Sequence, residues 1–230
     1  MAESCLLYYI TDRKAFPGDE RTRGQRLLHK IGEAASAGVD YIQLREKDLC
    51  TRDLESLARE ALAAIHWARP LTTALLINSR TDVALAIAAD GVHLPADDLS
   101  PVEVRAAWTR GAGTPSTSSG KAPAREVSPQ DPIIAVSCHS LQEIAQAATN
   151  GATFAVFAPV FGKKDKPEVR PTGLDALRHA CLARIPVLAL GGVTLQNAKS
   201  CLDAGAAGIA AIRLFQENDI ATVVRELRGY

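Results

Sequence analysis

A closed (β/α)8 barrel, the TIM-barrel class, is the architecture this sequence predicts, with one flexible loop at about residues 111–132. Three observations predict it: eight short apolar runs, a segment of helical spacing after each, and a length of 230 residues, close to the roughly 250 that eight βα units take. An open doubly wound sheet loses support because no GxGxxG follows the first run. The chain 1–230 is accordingly read as a single domain.

In order, Leu6 to Ile10 is the first strand and residues 24–37 the first helix. Tyr41 to Leu44 precedes helix 52–67, Leu75 to Asn78 precedes 81–89, and Gly91 to Leu94 precedes 101–109. Ile133 to Ser137 leads into 141–149, Phe154 to Phe157 into 173–183, Val187 to Leu190 into 195–203, and Gly208 to Ile212 into 218–228. A recurrent join supports the series: Ala37-Gly38-Val39-Asp40, Ala89-Asp90-Gly91-Val92, Asn150-Gly151-Ala152-Thr153 and Ala204-Gly205-Ala206-Ala207 each link a helix end to a strand. Glycine there is expected to take the left-handed conformation that ends a helix without a Cβ clash. Ser100-Pro101, Ser140 and Thr194 stand where N-caps belong. The Gly/Ser/Thr/Pro-rich stretch Gly111 to Pro132 has almost no large apolar residue before Val127. It cannot bury a core, so it reads as a mobile αβ insertion on the face away from the barrel mouth.

Composition narrows the function. With 26 Lys+Arg against 26 Asp+Glu, no basic field exists to gather nucleic acid or an anionic membrane. The apolar stretch Cys5 to Ile10 is far shorter than a signal core or a membrane span, so the expected location is cytoplasmic. Five cysteines without CxxC spacing argue against a disulfide framework and a zinc site.

In a barrel, chemistry sits at the C-terminal strand ends. The second strand ends in Gln43-Leu44-Arg45-Glu46-Lys47, which reads either as an anion clamp or as a self-neutralising charge run. The third ends in Asn78-Ser79-Arg80, and Asp97-Asp98 follows the fourth, as a metal site or as a plain turn into a helix. The fifth gives Ser137-Cys138-His139-Ser140; alternation puts Ser137 and His139 on one side, with His139 placed to move protons near neutral pH or to cap a helix. The seventh ends in Leu190-Gly191-Gly192-Val193-Thr194, where paired glycines open the backbone to a phosphate. Arg213 after the eighth strand either adds charge there or forms a surface ion pair.

Taken together, Gln43 to Lys47, Ala89 to Leu94, Ser137 to Ser140, Pro186 to Val193 and Ala204 to Ala210 resemble the thiamine phosphate synthase/TenI family, in the family's order and over nearly the whole chain. The resemblance implies a barrel, usually a homodimer, that handles a small-molecule phosphorylated thiazole. Synthase members couple hydroxymethylpyrimidine diphosphate to thiazole phosphate with Mg²⁺ held by two carboxylates. Asp98 matches one of these metal positions, whereas Ser79 stands at the other. The synthase's Thr-x-Thr-Lys loop is Lys163-Lys164-Asp165-Lys166 here, and Arg213 replaces the usual Ser.

TenI-like members instead tautomerise a thiazole carboxylate phosphate and need no metal. Asn78-x-Arg80, Leu94-Pro95 and Ser100-Pro101 resemble that branch, which implies His139 as the proton-transfer residue. Gly191, Gly192 and Arg213 would hold the phosphate, and Arg45 and Lys47 the ring carboxylate. Gln43, Asn78, Ser137, Lys166 and Ile212 complete the substrate-facing set that the resemblance implies. Three readings stay open: a thiazole tautomerase, expected first; a synthase with Mg²⁺; and a non-catalytic, regulatory thiazole-phosphate binder.

Overall fold

The computed structural model describes residues 5–68, 72–111, 131–162 and 169–229. Its elements run β1 (Leu6–Ile10), α1 (Glu20–Ser36), β2 (Tyr41–Leu44), α2 (Thr51–Trp67), β3 (Ala74–Asn78), α3 (Thr81–Ile87), β4 (Gly91–Leu94) and α4 (Pro101–Gly111). They continue β5 (Ile133–Cys138), α5 (Leu141–Thr149), β6 (Phe154–Phe157), α6 (Gly173–Ala180), β7 (Val187–Ala189), α7 (Leu195–Asp203), β8 (Gly208–Ala211), α8 (Arg213–Gln216) and α9 (Ile220–Arg228). The eight strands close into a parallel barrel in sequence order, β8 pairing back onto β1 with Leu6 opposite Gly208. The expected loop lies almost wholly outside the described residues.

Strand alternation separates two cores. Tyr8, Ile10, Leu76, Ala135, Phe154, Val156, Leu188 and Ala210 fill the barrel, while Leu7, Tyr9, Ile42, Leu75, Ile77 and Ile209 join the layer under the helices. Helix α9 shows why the helices lie down on that layer. It buries Ile220, Val223, Val224 and Leu227, an i, i+3, i+4, i+7 stripe. Inside the barrel, the Phe154 ring meets Tyr41 at 4.9 Å and Tyr8 at 5.4 Å, which plugs the N-terminal half with aromatic rings. Gln43, Asn78, His93 and Ser137 come at or near the ends of their strands, so the polar interior belongs to the C-terminal mouth.

Two local expectations are corrected. Gly38, Gly151 and Gly205 do take positive φ after their helices, but α3 ends on Ala88 in the left-handed conformation (φ 54°). Gly91 instead lies inside β4, where a Cβ would come within 1.9 Å of the Ile133 carbonyl oxygen; its role is close strand approach. The expected helix near 218–228 is preceded by a second one, α8, which begins at Arg213.

Candidate functional site

Among the described residues, two hollows take in residues from the C-terminal strand ends. One, of about 530 Å³, is lined by Gly191, Gly192, Ile212 and Arg213 together with the start of α7, so these four expected residues are brought together. Both glycines have positive φ, 98° and 65°. A Cβ on Gly191 would come 2.8 Å from Pro159, and one on Gly192 2.7 Å from the Gly162 carbonyl oxygen. The pair therefore serves packing against the loop after β6 as well as leaving the backbone open. Arg213 lies 3.9 Å from Glu217 across one helical turn, so the ion pair forms at the edge of the same hollow.

The second hollow, of about 450 Å³, lies against α5 and is lined by Asp98, Ser137, Ser140 and Glu143. Asp98 Oδ1 accepts from the Leu99 backbone N–H at 2.8 Å, as a turn residue does. At the other metal position implied by the resemblance, Ser79 has φ 60° and its Oγ accepts from Asn78 Nδ2 at 3.0 Å. Among the described residues no group of three or more His, Cys, Asp or Glu side chains converges to hold a metal. A single carboxylate, with a hydroxyl at the second position, does not fit a pre-built Mg²⁺ site.

Gln43 donates to Asn78 Oδ1 at 3.1 Å, and neither residue lines either hollow. His139 leaves β5 exposed, and Ser140, not His139, caps α5 by accepting from the Glu143 N–H at 3.2 Å. The cap reading of His139 is thereby corrected. Its ring nitrogen Nδ1 lies 2.7 Å from the Ala158 carbonyl oxygen. A carbonyl only accepts, so Nδ1 carries a proton and the neutral ring keeps its lone pair on Nε2. Ala158 precedes the proline packed under Gly191, so His139 is anchored to the loop that borders the first hollow.

The charge run after β2 is not self-neutralising. Glu46 is buried and turned away: it accepts from Thr11 Oγ1 at 2.7 Å and pairs with buried Arg13 at 3.1 Å. Arg13 also grips Asp48 through two bonds of 2.7 and 2.8 Å and holds that carboxyl well below the usual carboxylate range. Arg45 and Lys47 make no salt bridge among the described residues; they follow the C-terminal end of β2 directly, and both act electrostatically on His93. Lys166 lies outside the described residues.

Sequence reasoning missed the buried polar chain beneath the mouth. His93, 3% exposed, meets Tyr8 Oη through Nδ1 at 3.0 Å and Ser137 Oγ through Nε2 at 2.7 Å. The available signal was a histidine at an inward position of an otherwise apolar strand. Burial, with Arg45 and Lys47 adding to it, lowers the His93 pKa to about 3, so the ring is neutral at working pH. An unfolded histidine takes a proton below about pH 6.5, whereas this one does so only near pH 3, so stability falls as pH drops through that window. The expected contribution is about 1.4 kcal/mol per pH unit. Urea midpoints at pH 7 and pH 4.5 should show His93→Gln losing less stability in acid than the wild type; equal losses would contradict a neutral buried ring. Burial raises the thiol pKa of Cys5, Cys138, Cys181 and Cys201, so none of these four is activated. Cys138 is buried and its thiol is pushed up to about 12 by burial.

Among the described residues no helix is long and apolar enough to cross a membrane. The family profile described as "Thiamine monophosphate synthase" matches residues 7–113 and 116–215. "Putative thiamine-phosphate synthase 2" of Aquifex aeolicus (strain VF5) is 38% identical over 212 residues, 92% of this chain and 97% of that protein. "Thiamine-phosphate synthase" of Roseiflexus sp. (strain RS-1) is 35% identical over 210 residues, 90% of this chain and 76% of that protein. The solved structure of "Thiamine phosphate pyrophosphorylase from Pyrococcus furiosus" superposes with a TM-score of 0.74 at 28% identity, covering 99% of this chain and 95% of that one. These relatives carry synthase or pyrophosphorylase names. With a family profile spanning most of its length and relatives above 30% identity over nine-tenths of it, the chain belongs to the thiamine-phosphate synthase/TenI family.

Proposed function

We propose that this chain is a thiamine-biosynthetic enzyme that binds a phosphorylated thiazole in the barrel mouth and isomerises it by proton transfer, the thiazole tautomerase reaction. The observation that carries this reading is His139, whose Nδ1–H is fixed on the Ala158 carbonyl at 2.7 Å while Nε2 is left basic. Gly191, Gly192 and Arg213, which line one hollow, are suited to the phosphate. Arg45 and Lys47 supply charge for the ring carboxylate. His139 Nε2 would take a proton from one carbon of the substrate and return it to another, and aromatisation drives the exchange. Such general acid–base transfer contributes about 10²–10⁴-fold.

A second reading, coupling of pyrimidine diphosphate to thiazole phosphate, has the relatives' names behind it and the presence of Asp98, Arg45 and Lys47. Ser79 in place of a second carboxylate stands against it. The coupling assay with Mg²⁺ separates the two. The tautomerase reading expects no thiamine phosphate above the uncatalysed background, and sustained metal-dependent turnover would establish the synthase instead.

A further inference from the structure

The chain Tyr8–His93–Ser137 specifies a direction for each of its protons. Tyr8 is fully buried, with its ring edge-on to Tyr41 and Phe154 at 6.0 and 5.4 Å. Among the described residues its hydroxyl has one hydrogen-bond partner, His93 Nδ1 at 3.0 Å. If Nδ1–H donated to the phenol oxygen, the phenol hydrogen would be buried among apolar groups with no acceptor, the costly case for a donor. Tyr8 Oη–H therefore donates to Nδ1. Burial keeps the phenol protonated and the imidazole neutral, so the imidazole's one proton is on Nε2 and is donated to Ser137 Oγ, 2.7 Å away. Ser137 Oγ is thereby an acceptor from below. Its own hydrogen cannot point back at His93 and is left for the half-buried mouth above.

We infer that Tyr8 and His93 are positioning residues that hold the Ser137 hydroxyl as a hydrogen-bond donor aimed into the mouth, where it receives an anionic acceptor group of the ligand. On the proposed function above, on which this last step rests, the acceptor is the ring carboxylate. Arg45 and Lys47, whose field reaches His93, supply the matching charge. The direction of the protons does not depend on that reading.

Two measurements test the inference and separate it from the proposed function. In the full-length chain labelled with ¹⁵N-histidine, the His93 ring is identified by the signal lost in His93→Gln. It should show a protonated Nε2 and an unprotonated Nδ1, and Tyr8→Phe should disturb this tautomer. An Nδ1-protonated His93 in the wild type would overturn the proposal. Calorimetric titration then uses two probes, the carboxylated thiazole phosphate and its decarboxylated counterpart. Ser137→Ala should weaken the first by about tenfold or more, the usual range for a bond to a charged group, and leave the second within about twofold. Tyr8→Phe should weaken the carboxylated probe in the wild type and add nothing in Ser137→Ala. Equal losses for both probes, or additive losses, would overturn it. If neither probe binds the wild type, the proposed function fails, while the imidazole spectrum still decides the proton directions.

Discussion

His139→Ala is expected to lower tautomer turnover by about 10²–10⁴-fold, the range for loss of a positioned general acid–base group, with the dissociation constant for thiazole phosphate changed by less than about threefold. The asymmetry follows from the geometry. The ring is held by the Ala158 carbonyl through Nδ1, whereas the hollow suited to the phosphate is lined by Gly191, Gly192, Ile212 and Arg213. Removing the imidazole takes away Nε2 and leaves that hollow intact. Steady-state rates with calorimetric binding on the same preparation check both halves, and undiminished turnover would remove His139 from the chemistry.

Glu46→Ala should have the largest effect on stability. Glu46 and Arg13 are both buried, and the carboxylate also accepts from Thr11 Oγ1 and the Arg13 backbone N–H. Deleting it leaves part of a buried guanidinium without its partner, which costs about 3 kcal/mol or more. Thr11 Oγ1 also accepts from the Arg45 N–H at 3.0 Å, so the same change loosens the loop that carries Arg45 and Lys47. A lower urea midpoint and a raised KM are both expected. A stability loss below about 1 kcal/mol would show that Asp48 alone satisfies Arg13.

The barrel was legible because period two and period 3.6 alternate cleanly along the chain, and each of the eight predicted strands falls within a residue or two of its place. Gly191 and Gly192 were legible as a bare backbone turn. Their contact with Pro159 and Gly162 was not, since it joins segments about thirty residues apart. The charge run after β2 was readable in composition but not in partnership. Glu46 finds Arg13, 33 positions away, and only the β1–β2 pairing brings them together. His93 escaped notice for the opposite reason: a histidine inside an apolar strand looks like a core residue until its two ring nitrogens are seen to join Tyr8 and Ser137. His139 was placed at the right strand end, but which nitrogen is basic depends on the Ala158 carbonyl from the next strand.

Incubating the wild-type protein with the non-aromatic thiazole carboxylate phosphate in D₂O, with EDTA present, tests the central claim most directly. Proton transfer through His139 predicts enzyme-dependent aromatisation, followed by NMR, with solvent deuterium appearing at the carbon that receives the returned proton and no dependence on a divalent cation. Absence of any rate above the uncatalysed background, in a preparation that binds thiazole phosphate, would contradict it.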